Sequence, residues 1–159
     1  MTPSDEEYVH FEECLTRLNH AWRIICELEH ADSNSLVWIA AYQMAIIEYA
    51  KPYKESRGTN KWRYIIPTPE LDDTNRLLHE KLLSLRDTFL AHSDLTIKDA
   101  KVSVVSIAGN PKPQIILNTE PLMPPLAEVK ALIESTLEIL YKEIPKQEAN
   151  VVQSHHYSE

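Results

Sequence analysis

With 159 residues the chain has the length of one domain, and its formal charge of −8 argues against indiscriminate binding to nucleic-acid phosphate. Two glycines in the whole length, against abundant Leu, Ile, Ala, Glu and Lys, favour helices and exclude a turn-rich β-fold. No run approaches the roughly 18 apolar residues of a membrane span, and the acidic start MTPSDEEYVHFEE lacks the basic and apolar regions of a secretory signal.

Ser4, with Glu7 three residues on, is the expected N-cap of a first helix over about 5–30. Tyr8, Phe11, Leu15, Leu18, Trp22 and Ile25 recur at steps of three and four and predict its buried stripe. Cys14 and Cys26 both fall on it, about 18 Å apart at the helical rise, so they are out of disulfide reach and a reducing, cytoplasmic setting is expected. Ser33 or Asn34 caps a second helix, about 35–51, whose stretch from Leu36 to Ile47 carries no charge. Such a helix needs cover on most sides, and Trp22, Trp38 and Met44 read as core. One chain of this size covers it poorly, so a two-fold homodimer is expected.

Residues 51–64, KPYKESRGTNKWRY, hold Lys51, Lys54, Arg57, Lys61 and Arg63 against Glu55, a local charge of +4. Pro52, Gly58, Pro67 and Pro69 mark an irregular connection of about 17 residues, long for a compact domain. Its cations, with Tyr53, Trp62 and Tyr64, suit stacking and phosphate contact with single-stranded RNA; they equally suit a loop pinned by aromatic anchors with solvated charges.

A third helix follows Pro69, with Glu70, Asp72 and Asp73 in its first turn and a stripe of Leu71, Leu78, Leu82, Leu85 and Phe89. VSVVSI (102–107) and PQIILN (113–118) flank Ala108–Lys112 and predict a β-hairpin, which alone is marginal and so packs on a helix or pairs with a second copy. The last helix, about 124–148, presents Leu126, Val129, Ile133, Leu137, Leu140 and Ile144. Residues 151–159, VVQSHHYSE, read as a polar, peripheral tail. The expectation is one mainly α domain over 1–150, an antiparallel four-helix bundle with a small hairpin, about 102–118, inserted before the last helix.

The stretch LRDTFLAHSD (85–94) carries Arg86, Asp87 and His92 on a helix that its apolar residues dock. One reading is a solvated ion pair and a histidine at a helix C-terminus. The other is chemical: cleaving RNA with its own 2′-OH requires a base, an acid and positive charge for the phosphorane oxygens. An imidazole with an ordinary pKa near 6.5 serves either proton role, and a guanidinium matches phosphate bidentately. On a regular helix six residues rotate by about 600°, leaving Arg86 and His92 roughly 120° and 9 Å apart. Either the helix ends near Ala91, or a second copy completes the site and supplies the second histidine. Asp87 would orient His92 or Arg86 by a charge-assisted hydrogen bond.

His79, seven residues before Arg86, shares its face and is either an exposed helical histidine or a further member of the site. Lys61, Trp62 and Arg63 lead into the start of the third helix, about 24 Å from Arg86 along its axis, and join only if the loop folds along the bundle. His155 and His156 stand without a spaced Cys or carboxylate set, and no glycine-rich phosphate loop occurs, so neither metal nor cofactor is expected.

Arg86, five residues, then His92, with a polar residue directly after the arginine, resembles the R-x4-6-H signature of the HEPN superfamily (higher eukaryotes and prokaryotes nucleotide-binding domains). The phrase RDTFLAHSD looks like its abortive-infection U-type branch. The resemblance is strongest over about 70–94, extends to the helical order of the chain, and does not cover the hairpin. It implies a helical homodimer acting as a metal-independent endoribonuclease or ribonuclease-like toxin in toxin–antitoxin or phage-defence systems. Arg86 and His92 would be catalytic with Asp87 in support, Ser93 and Asp94 beside them, RNA the substrate, and an antitoxin such as a nucleotidyltransferase the partner. Some relatives of that superfamily are inactive scaffolds, so the alternative is a silent dimeric binding module for a protein or a nucleotide.

Overall fold

The computed structural model describes residues 2–59, 62–90, 101–116 and 123–156. Helix α1 (Pro3–Leu28) starts from Thr2 rather than Ser4. The Thr2 hydroxyl accepts from the Asp5 amide at 3.2 Å, and the Asp5 carboxylate accepts from the Thr2 amide at 2.8 Å. Pro3 takes the first helical position, where a missing N–H costs nothing. Phe11, Leu15, Leu18 and Ile25 of the expected stripe are buried, joined by Cys14 and Ala21, while Trp22 is half-buried.

Helix α2 (Leu36–Ala50) is capped by Ser35, whose hydroxyl accepts from the Trp38 amide at 3.0 Å. Asn34, one of the two expected caps, instead donates its amide to the Asp32 side chain. Tyr42, Ala45, Ile46 and Tyr49 enter the core. Among the described residues the expected cover on most sides is not found: Leu36 is 83% and Val37 79% exposed, and Ile39 and Met44 are exposed with them. The uncharged stretch of this helix thus has one face in the core and the other exposed, and Met44 is not core.

Helix α3 (Asp73–Leu85) is capped by Asp72, which accepts from the Asn75 amide at 2.9 Å, so Glu70 and Asp72 precede the helix instead of forming its first turn. Leu82 and Leu85 are buried and Leu71 and Leu78 flank them; the side chain of Phe89 is outside what the structure describes. Helix α4 (Leu126–His156) buries Val129, Leu132, Ile133, Leu137 and Leu140. It passes through Pro145 and runs to His156, so residues 151–156 extend a helix where a peripheral tail was expected. His155 Nε2 lies 2.7 Å from the Asp5 carboxylate, which ties that end of α4 to the start of α1.

Among the described residues these four helices pack around one core and the chain is mainly α. Polar contacts set the directions of three of them. Glu29 to Lys130, Trp22 to Glu134, Asn19 to Tyr141 and Asp5 to His155 run α1 antiparallel to α4. The Leu28 carbonyl to Trp38 and Arg17 to Glu48 do the same for α1 and α2. No helix among the described residues is long and apolar enough to cross a membrane.

The long connection after α2 is more ordered than its prolines suggest. A 3-10 turn (Lys51–Tyr53) buries Pro52 and Tyr53, and a pair of two-residue strands follows, β1 (Ser56–Arg57) with β2 (Arg63–Tyr64), which periodicity did not reveal. Glu6 of α1 holds this pair, accepting from the Thr59 amide at 2.9 Å and the Tyr64 hydroxyl at 3.0 Å. Gly58 passes so close that a methyl there would collide with the Glu6 carboxylate and the Tyr64 ring.

The expected hairpin is present as β3 (Lys101–Ile107) and β4 (Asn110–Ile116), one residue earlier at its start and with a shorter turn than Ala108–Lys112. Ala108 (φ 51°) and Gly109 (φ 81°) are both left-handed, the two-residue turn whose twist matches flanking strands. Residues 117 and 118 lie outside the described residues.

Candidate functional site

Leu82 and Leu85 seat α3 on the core, and at the next residue the helix widens into a π turn (Arg86–Leu90). The Thr88 hydroxyl donates back to the Ser84 carbonyl at 2.6 Å, a local bond that competes with the regular ladder. Single π turns in α-helices recur at functional sites, and here Arg86 opens one. His92 itself lies outside the described residues, as do Ser93, Asp94 and Lys61.

Asp87 accepts from the Arg86 guanidinium at 2.8 Å and from Lys54 Nζ at 2.5 Å. Burial pushes its carboxyl up, but the hydrogen bonds from Lys54 and Arg86 and their charges outweigh this and hold it below its ordinary value. Asp87 is therefore ionised at neutral pH: an electrostatic tether, not a proton donor. The Arg86 side chain is 27% exposed, and its Nε is buried without an acceptor among the described residues.

Lys54 reads from sequence only as one cation of the basic segment 51–64, not as a partner of Asp87. The separation of about 24 Å expected along α3 applies to the end of the loop, whereas its beginning lies at the end of α2, and that end meets the end of α3. Trp62 and Arg63, by contrast, are not brought to Arg86: Trp62 is exposed and Arg63 pairs with Glu55 at 2.8 Å.

A cavity of about 360 Å³ opens between α1, the 3-10 turn and Arg86. Arg17, Lys51, Lys54 and Arg86 line it with His10, Cys14 and the carboxylates Glu13 and Glu55. Behind it, buried Glu48 accepts from Arg17 at 3.1 Å and Lys51 at 2.5 Å. Burial raises the Glu48 carboxyl; the hydrogen bonds from Lys51 and Arg17 prevail and lower it. Burial also pushes the Cys14 thiol up to about 12, so it stays protonated and is no nucleophile. Burial lowers His10 below 6.5, leaving a neutral imidazole on the cavity wall. Sequence reasoning missed His10, whose signal was only its helical turn of separation from Cys14.

A larger groove, about 870 Å³, runs between the start of α1, residues 63–70 and α4 near Ile139 to Gln147. His10 lines both, and Arg63 lines this one. Among the described residues no three His, Cys, Asp or Glu side chains gather as a metal site.

His79 is 2% exposed, which corrects the expectation of an exposed histidine. Its Nδ1 is 2.8 Å from the Tyr49 hydroxyl and its ring stands edge-on to Tyr53 at 4.5 Å, while Nε2 has no partner among the described residues. A tyrosine partner on α2 is what lets a polar residue turn inward here. Burial lowers its pKa, so below pH 6.5 the unfolded chain takes up a proton that the folded one refuses. Stability should therefore fall as pH drops from 6.5 towards the lowered native value and level off beneath it. Urea midpoints followed over that range should slope more steeply for the natural chain than for His79→Gln; equal slopes would show that His79 does not titrate as an isolated buried group.

Compared with protein-family models, with curated proteins and with solved structures, the chain matches none.

Proposed function

We propose that this chain is a metal-independent endoribonuclease, or ribonuclease-like toxin, of the HEPN type, acting as a homodimer. One observation carries the reading: Arg86 and Lys54 converge on Asp87 at a cavity walled by further cations, in a chain whose net charge is −8. Four cations gather there, each already paired with Glu13, Glu48 or Asp87, so a phosphate would bind by taking over hydrogen bonds that these carboxylates now receive. Its volume suits a phosphate and part of a sugar.

In the proposed reaction the 2′-oxygen attacks phosphorus as its proton passes to an imidazole. The P–O5′ bond breaks as a second acid protonates the leaving oxygen, and the products carry a 2′,3′-cyclic phosphate and a 5′-hydroxyl. Arg86 faces the equatorial oxygens, and Asp87 orients it. His92 and its copy in the partner subunit divide the proton roles, with His10 a neutral imidazole already on the cavity wall. The exposed apolar face of α2 supports self-association.

The same triad favours a second reading. Asp87 offsets the guanidinium's charge while leaving donors free, so the pair offers a phosphate hydrogen bonds with little net charge, which suits a silent module that binds a nucleotide without turnover.

Incubation with single-stranded RNA in excess EDTA, beside Arg86→Ala and His92→Ala, separates the two. Cleavage by the natural chain alone, leaving cyclic phosphate ends, is the expected result. Equal cleavage by all three, or a strict need for a divalent ion, would contradict the proposal, and RNA retention without products would favour the silent module.

A further inference from the structure

The β3–β4 hairpin carries backbone groups that the described fold does not use. Its two-residue turn makes Ile107 and Asn110 a hydrogen-bonded pair, so pairing alternates from there along the ladder. Val102, Val104 and Ser106 on β3, and Pro111, Pro113 and Ile115 on β4, consequently point their backbone groups outward. The two edges differ in kind. On β4, proline stands at two of those three positions and offers no N–H. On β3 every outward position keeps its donor and acceptor, and no backbone hydrogen bond joins any of them to another described residue. A hairpin selected to stay single would have both edges closed; this one closes β4 alone. The side chains agree, since Val102 and Val104, each 69% exposed, form an apolar face with Ile115.

We propose that β3 pairs antiparallel with β3 of a second copy across a two-fold axis at Val104, giving a four-stranded sheet with the proline edges outermost. Val104 is the middle residue of Lys101–Ile107, so an axis there uses the whole strand. Val104 then lies opposite Val104 of the partner subunit, and Val102 opposite Ser106 of the partner subunit.

Charge and closure both select this occupant. Lys101 and Lys112 are the only ionic residues of the hairpin, and antiparallel pairing sets the two Lys101 side chains at opposite ends of the ladder. At about 3.3 Å per residue they are roughly 20 Å apart, beyond a screening length of about 8 Å; parallel pairing would set them side by side. Growth into a fibre would need β3 of one copy on β4 of the next, and Pro111 and Pro113 block that edge, so assembly stops at two chains. Two strands alone are marginal in water, whereas four with a shared apolar face are not. The proposal does not rest on the ribonuclease reading, because the same sheet forms if the motif is silent.

Amide hydrogen exchange at Val102, Val104 and Ser106 in the full chain, at high and at low protein concentration, tests it. Exchange should slow by about tenfold or more at high concentration and recover on dilution. Val104→Lys and Val104→Glu each set like charges opposite one another at the axis while sparing the internal ladder, which does not use the residue-104 amide. Each variant alone should lose the protection, and an equimolar mixture should regain it as lysine meets glutamate. Fast exchange at every concentration, protection that ignores dilution, protection retained by either variant alone, or a mixture that stays unprotected would each overturn the proposal.

Discussion

Replacing Arg86 with lysine should lower RNA cleavage by about 10²–10³-fold, the usual cost of one preorganised donor at a developing oxyanion. Lysine keeps the charge and loses the fork. A guanidinium held at one nitrogen by Asp87 still presents planar donors to two phosphate oxygens, whereas an ammonium is a single point of charge. Folding should barely change, because Asp87 retains Lys54 and the side chain is partly exposed; a shift of about 1 kcal/mol or less is expected for one such hydrogen bond. Cleavage rates and urea midpoints measured on the same preparations check both halves. A variant with unchanged cleavage would remove the guanidinium from the chemistry, and one that unfolds would make Arg86 a structural residue.

The largest stability effect should come from Leu18→Ala. Leu18 is fully buried on α1, the helix that packs against both α2 and α4, and truncation there leaves a cavity that neither neighbour can close alone. A loss of about 2–5 kcal/mol is expected. Leu36→Ala, equally drastic in chemistry, should cost the isolated chain only about 0.5 kcal/mol, because Leu36 is in water. Denaturant titrations of the two variants side by side measure the difference. If the Leu36 cost grows with protein concentration, a second copy covers that face; equal costs at high dilution would contradict the burial described for α2.

Periodicity at three and four residues was enough to read α1, α3 and α4, because their buried stripes are long and little interrupted, while α2 was legible from a cap and the uncharged stretch Leu36 to Ile47. Helix ends were less legible. The runs TPSD, DSNS and ELDD each offer several side-chain oxygens able to cap, and the choice of Thr2, Ser35 and Asp72 depends on which backbone the core has already positioned. The tail was misread for the opposite reason: VVQSHH carries no strong stripe, yet it stays helical beside the start of α1, where His155 meets Asp5.

Tertiary partners explain the misread polar residues. His79 is buried because Tyr49, thirty positions earlier, supplies a hydroxyl, and no local pattern announces that. Lys54 joins Arg86 and Asp87 because two helix ends meet, which spacing along one helix cannot reveal. The π turn had one faint signal, a threonine placed to bond back to Ser84. The uncharged stretch of α2 from Leu36 to Ile47 was expected to be buried on most sides, but the described residues leave Leu36, Val37, Ile39 and Met44 exposed.

The most direct test of the catalytic account uses two oligonucleotides that differ by one oxygen. In excess EDTA the chain should cleave an all-ribose single strand and leave intact the same strand carrying 2′-deoxyribose at the cleaved position, because the attacking nucleophile is then missing. Equal cleavage of both strands would contradict attack by the substrate's own hydroxyl, and with it the role assigned to Arg86 and His92.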